Sequence, residues 1–358
     1  GLDQNEPPIL SLFGSEDGGI FGAEHLSDLM WAMEALAWSP DWMPRVSLDL
    51  ARLVAIGTKN RRYANGPANS LREIHLLWMP QTYAPLDERL RALDLIRKRE
   101  PNAAWKLMLG VLPSGHDSSD PSPMPRWRDF SVDKIETVTW PLASRGAQAI
   151  SKRLLDDVGL HAERWVELLD RVSDLGPGPE PVLDALDVAE KRMTAKTDRA
   201  AMWDKLRRVL HHNRDFPDAE WRLPDPVLDR LDAAYERFAP TDPLERVAWL
   251  FQNGVALPRP SAEGWQANER DVAAAQVEAA KALFNERGAA GILALARLTE
   301  TAGYVGRAVY DAGVSPSEID ALIEAAVRSD EPHERDVAHG LIITAFRRCG
   351  RRPRSERR

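Results

Sequence analysis

Apolar residues recur every three or four positions along most of the chain, the spacing of one face of an amphipathic helix. Leu26, Leu29, Met30, Met33, Leu36 and Ala37 form the first such stripe, and Trp42, Val46, Leu50, Leu53 and Val54 form the second. Ser39-Pro40 stops the first helix, because proline drives the residue before it out of helical geometry. Gly57 marks the end of the second. A connection of about four residues between them is short enough to turn the pair antiparallel. Further stripes follow at Met202, Leu206, Val209 and Leu210, at Leu244, Val247, Ala248 and Phe251, and at Ile319, Leu322, Ile323 and Ala326.

Several helices carry their own start signals. Ser70-Leu71-Arg72-Glu73 and Ser315-Pro316-Ser317-Glu318 read as capping boxes, with serine accepting from a first-turn amide and glutamate reaching back. Pro316 suits the first helical position, where its missing N–H costs nothing. Asp242-Pro243-Leu244-Glu245 is a weaker version of the same device. Alternating runs of β-branched residues are absent, so no strand is predicted. The pattern predicts roughly a dozen helices and an all-α chain.

The connections set the expected organisation. Most are short and marked by proline, but Tyr63 to Asn69, Pro113 to Phe130 and Asn253 to Gly264 are long. Gly176-Pro177-Gly178-Pro179-Glu180-Pro181 is a stiff break and the expected subdomain boundary. Antiparallel hairpins in series predict an irregular α-solenoid of HEAT- or TPR-like type, each unit covering its neighbour's apolar face. The expected segments are an extended stretch 1–23, helical-repeat subdomains 24–175 and 182–346, and a basic disordered tail 347–358.

Composition narrows the possible functions. At 358 residues with 44% hydrophobic and 28% charged residues, a sizeable core is available. Cys349 is the one cysteine, which excludes a disulfide framework and a polythiolate zinc site. No apolar run approaches a membrane span and no secretory signal opens the chain, so a soluble, cytoplasmic protein is expected. Nine of the 47 basic residues are lysine, the bias of a GC-rich bacterial genome, and the first residue is Gly1, as in a piece of a longer protein. The net charge is −8, yet residues 347–358 carry +6 and leave the other 346 residues at −14. An acidic body is a poor match for phosphate, so nucleic acid is expected, if at all, through that tail alone.

Several segments are worded distinctively: Leu29 to Pro40, Asn65 to Ile74, Trp78 to Thr82, Pro113 to Asp117, Pro125 to Asp129, Phe216 to Trp221 and Tyr235 to Pro240. Together they resemble the long helical C-terminal regions of large, mostly uncharacterised bacterial multidomain proteins of the conflict or antiphage-defence kind. That resemblance implies a sensor region following an effector or nucleotide-binding domain, and it carries no catalytic residues across.

Candidate chemistry is sparse. A phosphate-binding glycine loop is missing, and His333 and His339 stand six apart, about 240° around a helix, so they cannot face one metal. No catalytic, cofactor or metal residues are assigned. His211-His212 read as helix-end residues. Trp31, Trp38, Trp42, Trp105, Trp203 and Trp249 read as core fillers, while Trp127, Trp221 and Trp265 fall in loop-like stretches and are candidates for surface work. Arg126, Trp127, Arg128 and Asp129, with Trp221, are the expected partner-binding residues, since Arg and Trp are enriched at binding hot spots. The opposing reading pairs Arg126 or Arg128 with Asp117, Asp120 or Asp129. The expected function is a non-catalytic scaffold that binds a protein. An α/α-barrel glycoside hydrolase, with tryptophan sugar platforms and paired carboxylates, is the main alternative.

Overall fold

The computed structural model describes residues 25–56, 66–115, 117–119, 124–125, 135–176, 178–261 and 264–350. Helix takes 74% of them, and no strand occurs among them. In chain order the helices are α1 His25–Ala37, α2 Met43–Ile56, α3 Pro67–His75, α4 Leu86–Arg99 and α5 Pro101–Val111. They continue with α6 Trp140–Val158, α7 Ala162–Leu169, α8 Glu180–Arg192, α9 Lys196–Asp215 and α10 Asp225–Phe238. The last are α11 Pro243–Ala248, α12 Trp265–Arg297, α13 Ala302–Asp311, α14 Pro316–Arg328 and α15 Pro332–Gly350. Two compact units comprise residues 1–185 and 186–358, so the division falls inside α8.

Local signals place most of the boundaries. α14 begins with the expected capping box: Ser315 accepts from the Glu318 amide, the Glu318 carboxylate accepts from the Ser315 amide, and Pro316 is the first helical residue. Asp242 caps α11 by accepting from the Leu244 amide at 3.1 Å. Ser70, by contrast, caps nothing. Pro67 starts α3 a turn earlier, behind Gly66, and puts Ser70 inside the helix. There its buried hydroxyl donates to the Glu34 carboxylate at 2.6 Å.

In the first unit, α1 and α2 bury Met30, Ala37, Met43, Leu50 and Leu53 against Leu71, Ile74 and the inner faces of α4 and α5. Two aspartates tie α4 to α6. Asp94 accepts both prongs of Arg153 at 2.8 and 2.7 Å, and Arg97 donates to Asp94 at 2.8 Å and to both oxygens of Asp157 at 2.7 Å. The Arg153 and Arg97 hydrogen bonds hold the Asp94 carboxyl below its ordinary pKa despite opposing desolvation.

The second unit is built around Leu250, Phe251, Leu283, Ile292, Val305, Val309, Leu322 and Val337. α12 is interrupted at Gly288, whose φ of 59° and ψ of −156° belong to glycine alone. Where α13 meets α15, glycines let the backbones touch. A Cβ on Gly340 would lie 2.1 Å from the Gly303 carbonyl oxygen, and one on Gly306 would lie 2.2 Å from that of Val337. α15 extends to Gly350, so Arg347 and Arg348 are helical rather than part of the expected tail. The described helices include none long and apolar enough to cross a membrane.

Candidate partner-binding site

Arg126, Trp127, Arg128 and Asp129 lie outside the described residues. The start of their connection is described, and α3 anchors it. Arg72 donates from Nε to the Gly110 carbonyl at 2.8 Å, from Nη1 to that of Ser118 at 3.2 Å, and from Nη2 to Asp117. Trp78 Nε1 donates to the other Asp117 oxygen at 2.9 Å. Glu73 closes the arrangement by accepting from Arg72 at 3.1 Å, from Gln81 at 2.9 Å and from Ser119. Asp117, read from sequence as a partner for Arg126 or Arg128, is thus held by Arg72 and Trp78. Two carboxylates and a guanidinium satisfy one another here, which is the chemistry of an anchor rather than of a reactive centre.

Trp221 lies in the second unit, in the connection between α9 and α10. Its ring stacks on His212 with centroids 4.3 Å apart and planes 7° from parallel. Phe216 meets His212 edge-on at 5.6 Å and Trp221 at 5.9 Å. All three rings face solvent, Phe216 at 51% and Trp221 at 44%. Asn213 holds the loop beneath them. Its buried side chain donates to the Val209 carbonyl at 2.9 Å and accepts from the Leu223 amide at 2.8 Å. One amide thereby joins the last turn of α9 to the far end of the loop. His212 was legible only as a helix-end residue. Its partner at i+4, Phe216, was the available signal of an aromatic face.

No family model, curated protein or solved structure matches the chain.

The tryptophans divide differently from the sequence expectation. Trp105 and Trp203 are buried, and so is Trp165 at 1% exposure, which the stripes had not singled out. Trp38 and Trp249 are half-buried, but Trp31 and Trp42 are 58% and 54% exposed and are not core fillers. α1 turns Met30, Glu34 and Ala37 inward, and Trp31 stands about 100° around the helix from Met30. Trp38 packs edge-on against Tyr83 at 5.2 Å, from the segment preceding α4. Trp265, read as a surface residue, is 71% exposed. Among the described residues, no three His, Cys, Asp or Glu side chains gather as a metal would require.

Proposed function

We propose that this chain is a non-catalytic helical region that binds a protein partner, its helix hairpins stacked in series as an irregular HEAT- or TPR-like solenoid. The observation that supports it is the His212–Phe216–Trp221 cluster. Three aromatic rings contact one another, His212 and Trp221 stacked and Phe216 set at an angle to both, open to solvent and on a loop pinned by a buried asparagine. Exposing an indole and a phenyl ring together is unfavourable for an isolated surface. Holding them in one geometry removes the ordering cost that a flexible contact would meet on binding. Arg126, Trp127, Arg128 and Asp129 supply a second contact in this reading. In line with the resemblance of its segments, the chain serves as the sensor part of a larger bacterial defence-type protein, in the cytoplasm.

The test is a paired capture experiment from lysate of the native host, with chemical crosslinking and mass spectrometry. Phe216→Ala with Trp221→Ala should leave the thermal transition within a few degrees of wild type and remove specific crosslinked proteins. Identical crosslinks from wild type and double variant would overturn the reading.

A further inference from the structure

A second surface of the 186–358 unit carries chemistry that the aromatic cluster does not use. Cavities of about 570, 280 and 200 Å³ adjoin along α12, α13 and α15, with Tyr304 shared by the first two and Arg307 by all three. The largest is faced by two aromatic rings, Trp265 and Tyr304, the latter 51% exposed. The smallest gathers Arg307, Arg347 and Arg348 around a single carboxylate, Asp311. Arg348 donates to Asp311 at 2.8 Å, and Arg307 stands 3.7 Å from its other oxygen. Arg347 is exposed and has no ion pair among the described residues. With Arg270 and Glu269 at the far end, four arginines face two carboxylates.

This is a local inversion of charge on a chain of net −8. Arg347 and Arg348 also stand in the last turn of α15, where positive charge offsets the helix C-terminus. That does not account for the two open rings.

We propose that this groove binds single-stranded nucleic acid, independently of the protein-binding reading. Arg307, Arg347 and Arg348 contact backbone phosphates, and bases stack on Tyr304 and Trp265. A duplex keeps its base faces inside the stack and cannot present them to rings set in a cavity, so the groove selects single strands.

The experiment is fluorescence anisotropy on the full chain with a labelled oligothymidylate of about 12 nucleotides, between about 50 and about 200 mM salt. Three phosphate contacts at about 0.7 each give a log–log salt slope near −2. Arg307→Gln with Arg347→Gln should weaken binding roughly tenfold or more and make the slope shallower by about 1.4. Tyr304→Ala should weaken it roughly fivefold to a hundredfold with the slope unchanged. Should the double variant fail to fold by circular dichroism, Arg347→Gln alone changes an exposed side chain and should make the slope shallower by about 0.7. The proposal is overturned if the groove variants bind like wild type while glutamine at the five arginines of 351–358 abolishes binding. A duplex that binds as tightly as the single strand, indifferent to Tyr304→Ala, overturns it equally.

Discussion

His75 should make the first unit acid-sensitive in a pH range where most carboxylates are still charged. It ends α3 at 5% exposure, with Nε2 2.9 Å from the buried Ser47 hydroxyl of α2. Arg89 of α4, itself 3% exposed, donates to the Leu76 carbonyl at 2.8 Å nearby. The adjoining void, about 10 Å³, is at the lower limit for one water and is otherwise lined by aliphatic side chains, so it offers an imidazolium little hydration. Burial first, then the Arg89 charge, lower the imidazole pKa from 6.5 to about 3. Arg89 is lowered by burial to about 10 and so remains charged at neutral pH.

The sign follows from proton counting. Below pH 6.5 the unfolded chain binds a proton at this residue that the native state refuses. Stability from His75 is therefore complete above that pH and is lost as pH falls toward about 3. Linkage between those two values gives a loss of about 1.4 kcal/mol by pH 5.5 and about 2.7 kcal/mol by pH 4.5. Glu34 works the other way. Burial raises its carboxyl above 4.5, so its contribution grows as pH falls through the interval between its folded and unfolded values. Urea unfolding of the wild type, His75→Gln and Glu34→Gln from pH 7.5 to 4.5 separates the two. The wild-type curve should fall more steeply than that of His75→Gln, by up to about 1.4 kcal/mol per pH unit. A native His75 ring titrating near 6.5 by NMR, or parallel curves for wild type and His75→Gln, would refute the reasoning.

The remaining expectations concern packing and anchoring. Gly340→Ala or Gly306→Ala drives a methyl into backbone across the α13–α15 contact and should destabilise by about 2–3 kcal/mol or more, measured by thermal unfolding. Gly110→Ala, whose Cβ would meet only the Arg72 side chain at 3.7 Å, should instead stabilise α5 by about 0.5–1 kcal/mol. Asn213→Ala leaves the Leu223 amide without its acceptor and should cost about 1–3 kcal/mol in urea unfolding, with a change in Trp221 fluorescence as its stack loosens. Asp94→Ala leaves Arg153 without its carboxylate partner and should cost about 1–3 kcal/mol at pH 7. Because Asp94 has a depressed pKa, that difference is present above about pH 3.9, the ordinary carboxyl value, and disappears as pH falls through its folded one.

Helix type and much of the punctuation were legible because they depend on local chemistry. Ser315 and Asp242 act within three residues of themselves, and the structure bears out both caps. Ser70 shows the limit. Its four-residue context matches that of Ser315, but Pro67 upstream starts the helix and Glu34, 36 residues away, takes the hydroxyl. Asp117 is a similar case, since its partners Arg72 and Trp78 lie 45 and 39 residues off. Side chains that contact across such distances leave no periodic trace.

Contacts distant in sequence decide the fate of the tryptophans as well. A helical stripe fixes which residues share a face, but a face about 100° wide leaves its margins undecided. Trp31 falls on the margin beside Met30, and the polar Glu34–Ser70 pair occupies the interior where an indole had been expected. A large ring on such a margin stays exposed unless a later segment covers it. Tyr83 partly covers Trp38, and Tyr235, stacking 5.5 Å away, helps bury Trp203. Trp221 receives no such cover: its companions, His212 and Phe216, are exposed themselves. Packing rings against one another outside the core satisfies their mutual contacts while leaving their outer faces open, so this cluster has aromatic surface left for a partner and the buried indoles have none.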